Sequence, residues 1–201
     1  MAALGVYRLL SGSPHVAVAP PAAGKHAVTG HHPRRNPAAR TSQAAKAPSA
    51  APAAPAQPLT PVRAAAFSPG GGDNPQLAHL AISGHRAAGW HTDWYTSARF
   101  GNLYPGTGLL LDMGRPVTVT AAQISLGSAR GASLQLRVGP APALADLPPA
   151  AHVSGASGAV RLRLTRPAHG RYVLLWFTRL PADPAGTFQA GVYNVSVEGH
   201  P

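Results

Sequence analysis

The chain has 201 residues, no Cys, 22 Gly and 22 Pro, and carries 17 Lys and Arg against 6 Asp and Glu, a formal net charge of +11. The missing Cys excludes a disulfide framework, a thiolate zinc site and a cysteine nucleophile. The charge is uneven: residues 1–59 hold Arg8, Lys25, Arg34, Arg35, Arg40 and Lys46 and no acid, whereas Asp73, Asp93, Asp112, Asp146, Asp183 and Glu198 all lie later.

The first ten residues, "MAALGVYRLL", are apolar but interrupted by Arg8, and the next apolar run, "HVAVAPPAA", is broken by two prolines. Neither approaches the ~20 apolar residues that span a bilayer, and no basic segment precedes a long apolar core. No signal peptide and no transmembrane segment are therefore expected here. From Ser11 to Pro58 the chain is Ala, Pro, Gly, Ser and basic residues, with almost no large apolar side chain. Such a stretch cannot bury enough surface to offset its chain entropy. Residues 1–57 are expected to form a disordered, Pro/Ala-rich basic tail that acts as a spacer. A polyanion partner is the other use for that charge, but no basic-aromatic reading motif accompanies it, so nucleic acid is not expected. A spacer with nothing at its far end reads as part of a longer product, truncated or with a misassigned start.

From Leu59 onward short apolar runs alternate with turn signals. Strands are predicted near Val62–Phe67, Leu77–Ile82, Gly108–Asp112, Val117–Leu126, Ser133–Val138, Ala159–Leu164, Arg171–Thr178 and Gly191–Val197. Period-2 alternation puts Leu134, Leu136 and Val138 on one face. It likewise puts Val160, Leu162 and Leu164 inside with Arg161 and Arg163 out, and aligns Tyr193, Val195 and Val197. In "VTVTAAQISL" Val117, Val119 and Ala121 run in phase, and Ile124 and Leu126 resume out of phase, which predicts a β-bulge. "RYVLLWFT" is apolar on both faces, as in a central strand covered on both sides. The connections, "PGTG", "MGRP", "GSARG", "SGASG" and "RPAHG" among them, are Gly/Pro turns. Eight short strands without a long amphipathic helix predict an all-β domain over 58–201: an antiparallel β-sandwich of jelly-roll type.

Catalytic patterns are missing. The one Glu, Glu198, is three residues from the C-terminus. Asp73, Asp112 and Asp183 adjoin turn residues, where capping is the simpler role. There is no G-x-S-x-G elbow, and "SPGGGDNP" lacks the ending of a phosphate loop. No enzymatic activity, catalytic residue or cofactor is expected. His79, His85 and His91 recur at intervals of six, which matches no zinc spacing; they read as surface or turn histidines.

The densest aromatic stretch, "AAGWHTDWYTSARFGNLYPG" (87–106), has loop composition. Trp90 is expected in the core, its indole N–H bonded to a backbone carbonyl, and Trp176 is expected to be core as well. Trp94, Tyr95, Phe100 and Tyr104 read first as a cover over the core beneath a long loop. The alternative is a surface on which these rings stack against a sugar beside Asp93, Arg99 and Asn102. The candidate ligand-binding residues are therefore Asp93, Trp94, Tyr95, Arg99, Asn102 and Tyr104.

The stretches "LAISGHRAAGWHTDWY", "FGNLYPGTGLLLDMGRPVTVTAAQISL" and "RYVLLWFTRLP" together resemble the discoidin-like (coagulation factor five/eight type C-like) domains of actinobacteria. Trp90 and Thr92 match that family's "W-x-T" element, Tyr95 its following tyrosine, and Asp112 and Gly114 its "D-x-G" element. The resemblance covers about residues 60–199. It implies a galactose-binding-like jelly roll, a non-catalytic recognition module for glycans or other surface ligands. In actinobacteria such domains form the extracytoplasmic end of MviN-like lipid II flippases and of membrane-bound serine/threonine kinases. The resemblance thus implies an extracytoplasmic or cell-surface location, a glycan or cell-wall ligand and a membrane-protein partner. A structural or protein-docking domain of a cell-envelope membrane protein is the second reading. The family's calcium loop "D-G-D-x-x-T" reads here as Ser83-Gly84-His85-Arg86-Ala87-Ala88. Both carboxylates are replaced and an Arg is present, so no bound metal is expected.

Overall fold

The computed structural model describes residues 54–201; the tail expected before them lies, over 1–53, outside the described residues. Eight strands follow one another: β1 (Gln57–Leu59), β2 (Arg63–Phe67), β3 (Trp90–His91), β4 (Thr107–Leu126), β5 (Ala132–Gly139), β6 (Pro149–Ala156), β7 (Ala159–Arg179) and β8 (Gly191–His200). All pairings are antiparallel, in the order β1-β8-β4-β7-β5-β6, with β2 on β4 and β3 on β8. The fold is an antiparallel β-sandwich.

Two long strands build it. The segments predicted as separate strands on either side of "MGRP" are one continuous β4, and those on either side of "RPAHG" are one continuous β7. Both bend at the same place, where the register jumps from Asp112↔Tyr172 to Val117↔Gly170. The corner is fastened by Arg171, whose Nε and Nη2 each donate to Asp112 at 2.8 Å, and by the Gly114 N–H, which donates to Asp112 Oδ1 at 2.8 Å. Beyond the corner the first half of β4 pairs with β2 and the second half of β7, and the second half of β4 pairs with β8 and the first half of β7. Leu109, Leu111, Val173, Leu175 and Phe177 from one layer meet Val119, Ile124, Val195 and Val197 from the other in the main core. Each such side chain stabilises the fold by about 1.5–3 kcal/mol relative to exposure.

The sequence periodicity reads correctly through most of this frame. Leu134, Leu136 and Val138 are buried, as is Leu162, while Arg161 and Arg163 point out. The phase slip is a bulge between Val119 and Ala121, present in the ladders that β4 makes with β7 and with β8. Val173–Phe177 are all buried because Leu174 and Trp176 face a second, smaller cluster with Leu147, Leu144 and Phe67 on the outer side of the sheet. Trp176 is therefore buried in that outer cluster rather than in the main core.

Three expectations change. Leu77–Ile82 belongs to a 3-10 helix, Pro75–Ile82, rather than a strand. Ala78 and Ala81 bury three residues apart, the period of a 3-10 turn, and Pro75 suits its start. Tyr193 is exposed although Val195 and Val197 are buried: the register shifts from Ser125↔Asn194 to Leu126↔Val192, and the slip turns the ring outward. Strand β6 was not expected from "PPAAHVSGA", which has poor strand propensity. It is an edge strand begun by Pro149 and held by pairing with β5.

Candidate functional site

The aromatic loop is anchored from beneath by a buried carboxylate. Trp90 is fully buried, and its Nε1–H donates to Asp73 O at 2.7 Å. The buried Asp73 side chain accepts the Tyr95 hydroxyl at 3.1 Å to both oxygens and the Asp93 N–H at 3.2 Å. Asp73 was expected to cap its own turn; it instead ties the Gly-rich loop to residues 20 and 22 positions onward. Burial pushes its carboxyl above the usual aspartate range, an effect only partly offset by the Asp93 N–H and the Tyr95 hydroxyl. Burial and the Asp73 charge push the Tyr95 phenol up in turn. Asn74 Nδ2 donates to His91 O at 3.0 Å and Asp93 Oδ1 at 3.1 Å. Thr92, fully buried, accepts the Ala190 N–H at 3.2 Å, and its carbonyl accepts Gln189 Nε2 at 2.8 Å. Tyr95 and Phe188 exchange backbone hydrogen bonds at 3.0 and 2.9 Å.

From this base the chain makes one left-handed turn. Phe100, Gly101 and Asn102 have φ of 57, 63 and 60°, closed by Asn102 N–H to Arg99 O at 2.8 Å and Leu103 N–H to Phe100 O at 3.1 Å. Gly and Asn tolerate that region; a Phe there stores about 1–3 kcal/mol of strain. Burial holds it. The Phe100 ring is 1% exposed and meets Tyr95 edge-on at 5.5 Å between centroids. The turn throws Leu103 outward, 71% exposed.

The turn forms one wall of a cleft of about 730 Å³, lined by Arg99, Phe100, Asn102, Leu103, Tyr104 and Pro105. Ser133 of β5, Ser154 of β6 and Thr178 and Arg179 of β7 complete it. The two sides are fastened by the Leu180 N–H, which donates to Ala98 O at 2.8 Å. Ser133 pairs with Arg179 across the β5–β7 ladder, and Thr178 Oγ1 donates to Ser133 O at 3.3 Å. Thr178 sits where the β5–β7 register shifts, between Phe177↔Leu134 and Arg179↔Ser133, and both it and Arg179 reach the cleft.

Of the six candidate residues, Arg99, Asn102 and Tyr104 line this cleft. Trp94 is 69% exposed, and Asp93 is exposed too; neither lines it. Tyr95 is 9% exposed, with its hydroxyl held by Asp73. Arg179, Thr178, Ser133 and Ser154 were not singled out from the sequence. Alternation places Ser133 opposite the inward leucines of β5, but only the fold brings it beneath a loop thirty residues away. Ser83–Ala88 form an exposed loop. No group of three or more His, Asp or Glu gathers among the described residues. A second concavity, about 500 Å³, lies on the outer side of β4, β7 and β8 among Gln123, Ser125, Arg161, Asn194 and Ser196, with Arg86 beside it. There Arg161 pairs with Glu198, which also accepts Gln123 Nε2 at 2.6 Å.

No family model matches the chain. Solved structures do. The CBM32 module of AlyQ, in complex with 4,5-unsaturated mannuronic acid, superposes with a TM-score of 0.53 at 14% identity, over 70% of this chain and 97% of that one. A truncated AlyQ with CBM32 and alginate lyase domains gives 0.54 at 15% identity, over 72% of this chain; this chain spans only 34% of that one's length. Chitosan-binding module 1 of a chitosanase/glucanase from Paenibacillus sp. IK-5 gives 0.52 at 16%, over 70% of this chain and 97% of that module. The shared feature is the β-sandwich. Among the described residues, no helix is long and apolar enough to cross a membrane.

Proposed function

We propose that residues 57–201 are a non-catalytic glycan-binding module, with the basic, Pro/Ala-rich residues before strand β1 as its tether and an extracytoplasmic, cell-envelope setting. The observation that carries the reading is the cleft itself. Loop-end concavities on a rigid sandwich are where recognition residues gather. This one combines an aromatic ring, Tyr104, with an amide, three hydroxyl side chains and two guanidinium groups, which together match a sugar's apolar face and its hydroxyl rim. Trp94, exposed on the same loop, lies outside the cleft. Tyr95 acts as a positioning residue: it holds the loop through Asp73. The three structural neighbours carry carbohydrate-binding modules, and that supports the reading. Cell-wall components are among the ligands it covers.

The test is a glycan array probed with the full chain and with Tyr104→Ala. Binding that Tyr104→Ala abolishes supports a ligand surface. Tyr104 also packs against the main core, so Arg99→Gln, at an exposed lining residue, is the variant expected to lose binding at an unchanged melting temperature. A folded chain that binds nothing on the array rejects it. The second reading is a structural or protein-docking domain of a membrane protein. It rests on Trp94 and Leu103, both large, apolar and exposed. An array-negative chain that pulls down a partner only while Trp94 and Leu103 are intact favours that reading.

A further inference from the structure

Sandwiches of this shape take ligands of different charge: one neighbour holds an unsaturated mannuronic acid, another binds chitosan. The fold therefore does not select the ligand, and the lining must. The ten residues around the loop-end cleft include two arginines, Arg99 and Arg179, and no Asp or Glu. The Leu180–Ala98 hydrogen bond joins the backbone next to each, so the two arginines rise from adjoining positions on opposite walls.

Among the described residues these guanidinium groups are uncommitted. The ion pairs among the described residues belong to Arg161 with Glu198 and to Arg171 with Asp112, both elsewhere. Arg137 donates to Leu147 O and to Gln135 Oε1. Arg99 and Arg179 donate to no side chain or carbonyl among the described residues. Each offers a planar fork of N–H donors that matches the two oxygens of a carboxylate. Asn102, Ser133, Ser154, Thr178 and Tyr104 can donate to and accept from sugar hydroxyls. What the lining lacks is the carboxylate acceptor that would clamp the hydroxyl pairs of a neutral sugar or hold an amino sugar.

We propose that the cleft selects a saccharide bearing a carboxylate, a uronic acid residue in the chemical sense, with its carboxylate between Arg99 and Arg179 and its ring against Tyr104. This rests on the glycan-binding reading and narrows it. Anionic sugars are steered toward the pair of like charges, whereas an amino sugar is repelled.

The test is calorimetry on the full chain with three trisaccharides of matched size: oligogalacturonate, its fully methyl-esterified form, and chitotriose as the cationic arm. Sulfated galactotriose separates carboxylate from sulfate. Short ligands limit binding through the basic residues of 1–59, and Arg115→Gln, an exposed arginine outside the cleft, measures the general effect of losing one charge. The expected result is galacturonate binding at least tenfold tighter than the methyl ester. Arg99→Gln and Arg179→Gln should each weaken it about tenfold, the scale of one charge-assisted contact, while Arg115→Gln changes it less than twofold. Equal or tighter binding of the methyl ester or chitotriose, lost in Tyr104→Ala, overturns the acidic class and leaves the glycan reading standing. Tighter binding of the sulfated sugar overturns the carboxylate. No binding of any of the four overturns the acidic class, and the glycan array then decides whether the glycan reading stands.

Discussion

Residues 140–148 and residues 93–106 are both loops with prolines, turn residues and large apolar side chains, and the fold uses them in opposite ways. The first lies down. Leu147 is fully buried over Leu174 and Trp176, Leu144 packs beside it, and Arg137 clamps the Leu147 carbonyl. The second is pinned at its base and open at its tip. Tyr95 and Phe100 go in; Trp94 and Leu103 stay out. Asp73 and the left-handed turn supply that division, and both are costly. One is a carboxylate deprived of water, the other a Phe at positive φ. Both fix the shape of the loop between its buried base and its exposed tip.

The contrast can be broken from either side. The largest effect is expected from Leu147→Ala, which empties the outer cluster and should cost about 2–5 kcal/mol in chemical denaturation; a loss below 1 would show that the 140–148 loop is ornamental. Tyr95→Phe keeps the ring and strips the hydroxyl from Asp73. About 1–3 kcal/mol should go, the penalty for leaving a buried acceptor short of a partner. Gly101→Ala places a Cβ at φ 63°, where no backbone clash adds to the strain, and should cost about 1 kcal/mol. The exposed pair should barely register: Trp94→Ala and Leu103→Ser are each expected within about 0.5 kcal/mol of the parent melting stability. A larger loss for either would make that side chain part of the cover.

Acidity separates the two carboxylates that fasten the fold. The Asp73 carboxyl lies above the ordinary aspartate value of 3.8, chiefly through burial. The folded state therefore keeps this proton longer than the unfolded state, and stability falls as pH rises from 3.8 through the raised value, then levels. Asp112 is held below 3.8, first by its hydrogen bonds from Arg171. Its contribution is complete above 3.8 and is lost as pH falls through the lowered value. Asp73→Asn should remove the upper slope and keep the lower one; Asp112→Asn should do the reverse, read from urea midpoints against pH.

Much of the frame was legible because strand alternation is a local signal. The inward leucines of β5, the bulge near Thr120 and the doubly covered β7 all follow from residues close in sequence. Errors arose where pairing overrode local preference. A bulge rotated Tyr193 out, corners joined two strands into one, and the ladder with β5 made a strand of "PAAHVSGA". The lining of the candidate cleft was legible only in part. The aromatic loop announced Arg99, Asn102 and Tyr104 by composition, but Arg179, Thr178, Ser133 and Ser154 reach it through strand register. Asp73 looked like a turn residue because its partners, Asp93 and Tyr95, are far along the chain.

The most direct test of the central claim is backbone-amide NMR of the full chain, titrated with oligogalacturonate and with a neutral galacto-oligosaccharide. The account predicts shifts confined to Arg99–Tyr104, Ser133, Ser154 and Thr178–Arg179 for at least one of them. Shifts centred instead on Gln123, Ser125, Asn194 and Ser196, or none with either sugar, would contradict it.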